Sequence, residues 1–250
     1  MEEKNFKDLF SSDSGQYKTY RPQYPAELFS ALASICNSQR MAWDCGCGNG
    51  QAAIHLASNF SKVIATDPSS EQLKHAHRAE NVEYRCETAE NSSLEDHSVD
   101  LVCVAQALHW FDFDRFYEEV RRVVIPGGVI AAIAYGLPVT EENILGEIRH
   151  LHNVVLAKYW EQERQLVADL YQDVPFPFEK IEFPEFIVRR ELTKSALLGY
   201  LSTWSGLKAY IKATGINPLE EFSTRLDLHW PDTTESVEFQ WKLALRIGRI

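Results

Sequence analysis

Residues 44–50, which read DCGCGNG, combine an acid, two cysteines and three glycines in consecutive positions. Such a segment suits a metal-binding site, a redox pair or a loop that binds a nucleotide. A redox pair is usually C-x-x-C, and a zinc site needs two further ligands at suitable spacing. Neither pattern is present. We therefore interpret Cys45 and Cys47 as small packing residues and expect Asp44 and the glycines to do the binding.

The three glycines and a second acid fit a ligand-binding loop. Gly46, Gly48 and Gly50 permit positive φ and a close approach of the backbone, and the helix that follows offers N–H groups. Asp67 follows the next predicted strand, where a carboxylate can accept hydrogen bonds from both hydroxyls of a ribose. The spacing is D-x-G-x-G-x-G, not the G-x-G-x-x-G of dinucleotide sites, and an acid such as Asp44 suits a ligand with an amino group. This spacing disfavours a nicotinamide-dependent reductase.

A doubly wound sheet is predicted to position this loop, because short β-type runs alternate with helical runs along the chain. Strands are predicted at residues 41–43, 62–66, 82–86, 99–104 and 129–135, and helices at 51–60, 70–79 and 113–124. The strands are apolar without alternation, which is typical of a parallel sheet covered on both faces. In such a sheet, ligands bind beyond the carboxyl ends of the strands, where the glycine loop must lie.

The alternation of short β-type runs with helical runs ends after Tyr135. Residues 141–172 and 194–212 are predicted to be helical, 178–188 extended, and 237–247 a closing strand. Aromatic residues of this part, Trp204 and Tyr210 among them, could form an apolar lid over a substrate or the core of a helical insertion. The cations Arg189, Arg190 and Lys208 are candidates for holding an anionic group. We expect one domain, not two.

Composition excludes several classes of function. The formal net charge of -11 argues against a nucleic-acid backbone as the main partner. No apolar run is long enough for a membrane span, the N-terminus lacks an apolar signal region, and the odd number of cysteines favours a reducing compartment. We therefore expect a cytoplasmic protein that binds no nucleic acid or membrane. His75 and His77 do not indicate a metal site, because helix positions i and i+2 do not face together.

Several motifs together resemble the class I S-adenosylmethionine-dependent methyltransferases. The matching segments are residues 44–50, 65–69, 87–90, 100–112 and 124–128. A narrower similarity, to the trans-aconitate methyltransferase-like subgroup, rests on residues 17–25, 106–112 and 203–205. This sequence departs from that pattern at Thr88, where Asp is frequent, and at residues 91–95, which lack a frequent Leu-Pro pair.

The resemblance implies a Rossmann-like, doubly wound, mostly parallel seven-stranded sheet with a helical cap after strand five. Residues 1–40 would then form an N-terminal segment that covers the cofactor, residues 41–135 the cofactor-binding core, and residues 136–250 the cap and closing strands. The implied cofactor is S-adenosyl-L-methionine. Its predicted contacts are Tyr17, Tyr20, Arg21, Asp44, Gly46, Cys47, Gly48, Gly50, Asp67, Pro68, Gln72, Thr88, Ala89, Glu90 and Gln106.

Individual roles follow from the same resemblance. Arg21 would pair with the cofactor carboxylate, Asp44 with its amino group and Asp67 with its ribose, while Glu90 or the Ala89 backbone would contact the adenine. Cys47 would contribute its backbone and not its thiol.

The resemblance also implies methyl transfer to a small molecule that carries a carboxylate. The predicted acceptor pocket consists of His109, Trp110, Trp204 and Tyr210, with His109 and Trp110 as candidate catalytic residues. A carboxylate acceptor is already ionised and needs no general base, whereas an amine or phenol would make His109 the natural base. A protein or RNA acceptor and a non-catalytic cofactor-binding subunit remain alternatives. We expect a monomer or a homodimer.

Overall fold

The main sheet has seven strands in the order β3-β2-β1-β4-β5-β9-β6. The computed structural model describes residues 20–231 and 235–250. The strands are β1 (Met41–Cys45), β2 (Lys62–Thr66), β3 (Val82–Arg85), β4 (Val99–Ala105), β5 (Val124–Ala134), β6 (Glu179–Lys180) and β9 (Ala244–Arg249). Pairing is parallel from β3 through β5, while β9 runs antiparallel to both β5 and β6. The predicted Rossmann-like, mostly parallel seven-stranded sheet is confirmed.

The central strands are buried because helices cover both faces of the sheet. Every residue of β4 before Ala105 is buried, which accounts for its unalternating apolar sequence. One buried cluster contains Leu101 and Ala131, and the other contains Val102 and Ile130. Since side chains alternate across a strand, these clusters lie on opposite faces of the sheet.

Helices cover the sheet and form the insertion, and some of them begin at a side-chain cap. The elements are α1 (Ala26–Ser34), α2 (Gln51–Ala57), α3 (Ser70–Lys74), a 3₁₀ turn (Leu108–Trp110), α4 (Phe113–Val123), α5 (Glu142–His150), a π-helical turn (Leu151–Val155), α6 (Arg164–Ala168), α7 (Lys194–Ser202), α8 (Ser205–Thr214) and α9 (Leu219–Leu226). Ser69 accepts a hydrogen bond from the Gln72 N–H, and Asp112 accepts one from the Arg115 N–H, each at 3.3 Å. No described helix is long and apolar enough to cross a bilayer.

The prediction of a helix over residues 70–79 is wrong beyond Lys74. The chain leaves the helix there because the His77 N–H donates to the carbonyl of Asn49 in the glycine loop. The His77 carbonyl in turn accepts a hydrogen bond from the Tyr84 hydroxyl at 2.6 Å. These tertiary bonds replace the last helical turn, and they tie the segment to the loop.

The single closing strand predicted at residues 237–247 is also wrong. The structure contains two strands there, β8 (Val237–Lys242) and β9, separated by Leu243. β8 pairs antiparallel with β7 (Ile187–Leu192) in a separate two-stranded sheet, while β9 returns to the main sheet. The Leu243 N–H donates to the Phe186 carbonyl at the point of exchange. The predicted helical region 141–172 is likewise interrupted, by the π-helical turn and by irregular residues before α6.

Candidate active site

The loop between β1 and α2 has the left-handed backbone that its glycines predict. Gly46, Gly48 and Gly50 have φ of 70°, 53° and 79°. A Cβ at Gly46 would lie 2.6 Å from the Ala107 Cβ, and one at Gly50 would lie 2.1 Å from the Tyr84 hydroxyl. Side chains are therefore excluded at Gly46 and Gly50 by both conformation and space.

Asp67, at the carboxyl end of β2, holds this loop in place. Its Oδ2 accepts a hydrogen bond from the Gly48 N–H, and its Oδ1 accepts one from the Ser69 N–H, both at 2.8 Å. A carboxylate oxygen has more than one acceptor position, so these bonds leave Asp67 with capacity for a ligand hydroxyl. The residue is half-buried, which keeps it accessible to such a ligand.

Asp44 is fully buried at the end of β1, and neither of its carboxylate oxygens has a hydrogen-bond partner among the described residues. Burial raises the pKa of Asp44 to about 7; the Ala53 peptide N–H, which approaches the carboxylate without forming a hydrogen bond, lowers it, and the Asp67 charge raises it. A buried carboxylate without a donor is costly. A cationic donor placed against Asp44 would remove that cost.

A cavity of about 830 Å³ lies over the carboxyl ends of the parallel strands. Its lining extends from Thr88, beyond β3, to Tyr135, beyond β5. Five adjacent strands about 4.8 Å apart extend about 19 Å along the sheet edge. The cavity is thus long enough for an elongated cofactor with a second molecule beside it, and its volume is within the usual range of ligand sites.

The cavity brings together most of the residues predicted for the site. Those that line it are Arg21, Asp44, Gly46, Cys47, Gly48, Asp67, Pro68, Gln72, Thr88, Ala89, Glu90, Gln106, His109 and Trp110. Tyr17 lies outside the described residues. Apart from Arg21, which precedes α1, the lining residues converge because they lie on or after the carboxyl ends of β1, β2, β3 and β4, which meet at one edge of the sheet.

Four predicted site residues do not line the cavity. Tyr20 packs against Gly199, whose added Cβ would meet the Tyr20 ring at 2.4 Å, and Gly50 faces Tyr84. Tyr210 lines a separate pocket of about 190 Å³, and Trp204 is buried in the core. Of the two alternatives, lid or core, the structure places Trp204 in the core, while Tyr210 lies on the separate pocket, so neither lines this cavity.

Trp204 instead forms the centre of an aromatic cluster that supports two arginines. Its ring lies 5.6 Å from Trp160 and 5.8 Å from Tyr200. Those rings face the guanidinium groups of Arg164, at 5.4 Å, and Arg21, at 5.8 Å. Both arginines line the cavity. The cluster holds them by cation–π attraction, so Trp204 acts on the site through its neighbours.

The candidate anion-binding residues Arg189, Arg190 and Lys208 are not among the cavity-lining residues. Arg190 donates hydrogen bonds to the carbonyls of Tyr20 and Arg21 and so fixes the segment that leads into the cavity. Arg21 itself donates through Nε to the Thr203 hydroxyl at 2.8 Å. Arg164 of the insertion does line the cavity, and no local motif marks it in the sequence.

Gln106 ends β4 in a strained conformation at the cavity wall. Its φ is 57°, unusual for a residue with a side chain. Its Nε2 donates to the Tyr135 carbonyl at 2.9 Å, while its buried Oε1 has no partner among the described residues. Strain of this kind persists where the surrounding structure determines it, and it is frequent at functional sites.

His109 lies on the 3₁₀ turn after β4 and is 1% exposed. Its Nδ1 is 2.9 Å from the hydroxyl of Tyr171, a residue of the insertion after β5. The His109 ring also lies 4.6 Å from that of Trp110. Sequence reasoning missed Tyr171, which contacts His109, and Glu163, which lines the cavity, because both belong to a distant, irregular segment.

The cysteines of the loop are structural. Burial, followed by nearby acids, raises the pKa values of the Cys45 and Cys47 thiols well above their usual range. Both thiols are therefore protonated and unreactive at neutral pH. No group of side chains able to hold a metal ion occurs in the described part of the chain.

Comparison with known proteins connects this geometry to a reaction. A family profile described as a methyltransferase domain matches residues 43–132. A Dictyostelium discoideum protein named as a methyltransferase is 38% identical over 225 residues, which cover 88% of this chain and 86% of the relative. A Saccharomyces cerevisiae protein named as an S-adenosylmethionine-dependent methyltransferase is 30% identical over 135 residues, covering 50% of this chain and 46% of the relative.

A solved structure from Anaeromyxobacter dehalogenans, described as a type II methyltransferase, has the same fold over nearly its whole length. It superposes with a TM-score of 0.85 at 40% sequence identity, covering 92% of this chain and 98% of the other. The similarity therefore extends beyond the cofactor-binding core to the insertion and the closing strands.

Proposed function

Because the chain belongs to the class I S-adenosylmethionine-dependent methyltransferases, we propose that it methylates a small molecule at a carboxylate oxygen. The proposal includes membership of the trans-aconitate methyltransferase-like subgroup, which the motifs around Arg21, His109 and Thr203 resemble. All five cysteines are free thiols, which fits a reducing compartment such as the cytoplasm.

The residues on the cavity fit S-adenosylmethionine. Asp44 presents two buried oxygens that form no hydrogen bond to the described residues, which suits the cofactor's ammonium group. Asp67 is positioned for the ribose hydroxyls, and residues 88–90 line the end of the cavity expected to hold the adenine. Arg21 lines the cavity with its guanidinium oriented by hydrogen bonds to Thr203, and its charge suits the cofactor's carboxylate.

When bound, the cofactor supplies a methyl group on a sulfonium; an acceptor oxygen forms the new C–O bond and the C–S electron pair stays on sulfur. An ionised carboxylate loses no proton in this reaction, so the protein has to position it and exclude water. The aromatic faces of Trp110 and Phe111 line the cavity and provide an apolar wall.

The observation that carries the choice of acceptor is the placement of Arg164. It lines the cofactor cavity from the insertion and lies over the Trp160 ring. A guanidinium binds a carboxylate through paired hydrogen bonds, and the aromatic support limits its motion. The cavity also lies within the fold and is lined by side chains of several elements, which suits a small acceptor better than a protein or RNA.

A transfer assay tests the proposal. The enzyme is incubated with S-adenosylmethionine carrying a labelled methyl group and a panel of small mono-, di- and tricarboxylic acids. Parallel incubations contain amines, phenols, peptides or RNA. Methyl esters are hydrolysed by alkali to volatile methanol, so we expect alkali-labile label in the acid incubations.

Arg164→Gln should raise the KM for the acid while leaving cofactor binding unchanged. Arg149→Gln is the matched control, because Arg149 is exposed and pairs with Glu142 on α5. Label that is stable to alkali, or that enters only peptide or RNA, would refute the carboxylate acceptor. No transfer to any of these acceptors would favour a non-catalytic cofactor-binding subunit.

A further inference from the structure

We propose that Tyr171 fixes His109 in the tautomer that carries its proton on Nε2. His109 then serves the reaction as a hydrogen-bond donor to the acceptor's carboxylate and not as a general base. Tyr171 is a positioning residue in this scheme. The role of the donor rests on the proposed function, whereas the tautomer rests on the structure of the Tyr171–His109 pair alone.

The two side chains form a buried contact across the cavity wall. The Tyr171 hydroxyl lies 2.9 Å from His109 Nδ1, and Tyr171 and His109 are 0% and 1% exposed. Water does not compete for a bond at this depth, so the hydroxyl determines the state of Nδ1. His109 also lines the cofactor cavity, which brings the consequence of that bond to the reaction site.

The direction of the bond follows from what surrounds the phenolic oxygen. Burial raises the pKa of Tyr171 above its usual value, so the phenol keeps its proton at neutral pH. The hydroxyl is fully buried, and its hydrogen-bond partner among the described residues is His109 Nδ1. A buried hydroxyl hydrogen without an acceptor is costly, so the phenol donates its hydrogen to Nδ1. A neutral imidazole that accepts at Nδ1 carries its hydrogen at Nε2.

The backbone at Tyr171 is held in place at a cost in strain. Leu170 and Tyr171 have φ of 52° and 59°, two consecutive non-glycine residues in the left-handed region. Arg246 of β9 donates to the Tyr171 carbonyl at 2.5 Å and to the Val174 carbonyl. The Tyr171 N–H donates to the Leu166 carbonyl at 2.8 Å. These bonds hold the strained backbone at Tyr171 and so fix the position of its side chain.

A hydrogen-bond donor at His109 suits the methylation of a carboxylate. One oxygen of the acceptor forms the bond to the methyl carbon, so its other oxygen is available to accept from Nε2–H. No proton leaves the acceptor and His109 remains neutral throughout. A base at this position would have no proton to remove.

Nuclear magnetic resonance tests the tautomer without any acceptor. Two-bond ¹H–¹⁵N correlations are recorded on the full-length protein labelled with ¹⁵N-histidine, with His109→Gln to assign the signals. We expect an Nε2–H pattern for His109 in the native protein and a mixed pattern in Tyr171→Phe. Tyr117→Phe is the matched control, because that hydroxyl is buried against the same insertion but donates to the Pro175 carbonyl at 2.6 Å.

The spectra decide the tautomer. An Nδ1–H pattern in the native protein, or identical His109 signals in the native protein and Tyr171→Phe, would overturn it. A change of equal size in Tyr117→Phe would also overturn it, because the effect would then come from general loosening of the insertion.

Kinetics decide the role of the donor. His109→Gln places an amide N–H near the position of Nε2–H, so we expect it to retain activity within about tenfold, while His109→Ala loses about 10- to 100-fold. A general base would give a different result. Both variants would then lose activity equally and severely, and the rate of the native protein would rise with pH as His109 loses its proton. If no acid is methylated, the proposed function fails in the transfer assay, while the spectra still decide the tautomer.

Discussion

The carboxylate of Asp67 accepts a hydrogen bond from the backbone N–H of Gly48 at 2.8 Å. This bond joins the end of β2 to the glycine loop after β1, two segments that parallel pairing already places side by side. The residue proposed to bind the ribose therefore also shapes the loop against which the cofactor lies. Binding and loop structure should depend on Asp67 together.

Asp67→Ala should weaken the binding of S-adenosylhomocysteine by about 10- to 100-fold, because it removes charged acceptors for the ribose hydroxyls. Calorimetric titration measures this affinity. Asp227→Ala is the control, since Asp227 is exposed, forms an ion pair with Lys194 and does not line the cavity. Equal affinity in the native protein and Asp67→Ala would remove Asp67 from the binding site.

Cofactor affinity should rise with pH through about 7 because of Asp44. Burial raises the pKa of this carboxyl to about 7 in the ligand-free protein, and only the ionised form pairs with an ammonium group. Below that pH, affinity should fall by up to about tenfold per pH unit. Calorimetric titrations of S-adenosylhomocysteine across this range test it. Asp44→Asn should bind weakly at every pH, and an equal slope in that variant would contradict the assignment.

Asp44 should also destabilise the ligand-free protein at high pH. Its folded pKa lies above its usual value, so the folded state binds the proton more strongly than the unfolded state. The free energy of unfolding therefore falls as pH rises from about 4 to about 7 and stays lower above it. Without ligand, Asp44→Asn should melt higher than the native protein at pH 8 but not at pH 5. Equal melting temperatures at pH 8 would contradict the raised pKa.

The features predicted correctly from the sequence have local causes. The glycine loop and the buried strands depend on residues within a few positions of one another. The position of Asp67 also follows locally, because it ends a strand next to β1. Parallel sheet topology then brings these segments to one edge without any further information.

The errors concern contacts between distant segments. The sequence leaves Trp204 open between lid and core, because aromatic residues serve equally in both, and only its packing against Trp160 decides for the core. Arg164 reaches the cavity, and Tyr171 reaches His109, from an insertion with short helices and strained turns, which leave no periodic signal. The interruption between β8 and β9 at Leu243 depends on a hydrogen bond from its N–H to the carbonyl of Phe186, which is far away in the sequence.

Gly50→Ala should destabilise the protein strongly, whereas Gly146→Ala should stabilise it. The Gly50 backbone is left-handed, and a Cβ there would lie 2.1 Å from the Tyr84 hydroxyl. Strain and overpacking together should cost about 2–5 kcal/mol. Nothing lies within 4 Å of a Cβ at Gly146, inside α5, so alanine there should add about 0.5–1 kcal/mol. Urea unfolding measures both, and a mild effect at Gly50 would show that the loop adapts.

Cys47→Ala should leave cofactor affinity within about threefold of the native value, because the loop acts through backbone geometry and the acids. Burial keeps the Cys47 thiol protonated, while Cys86 is exposed. A thiol reagent should therefore modify the native protein at Cys86, and Cys86→Ala should remove that rapid reaction. The same reagent reaches every cysteine after unfolding, which provides the internal reference. Rapid labelling of Cys47 in the native protein, or loss of cofactor binding in a folded Cys47→Ala protein, would show that the thiol takes part in the function of the site.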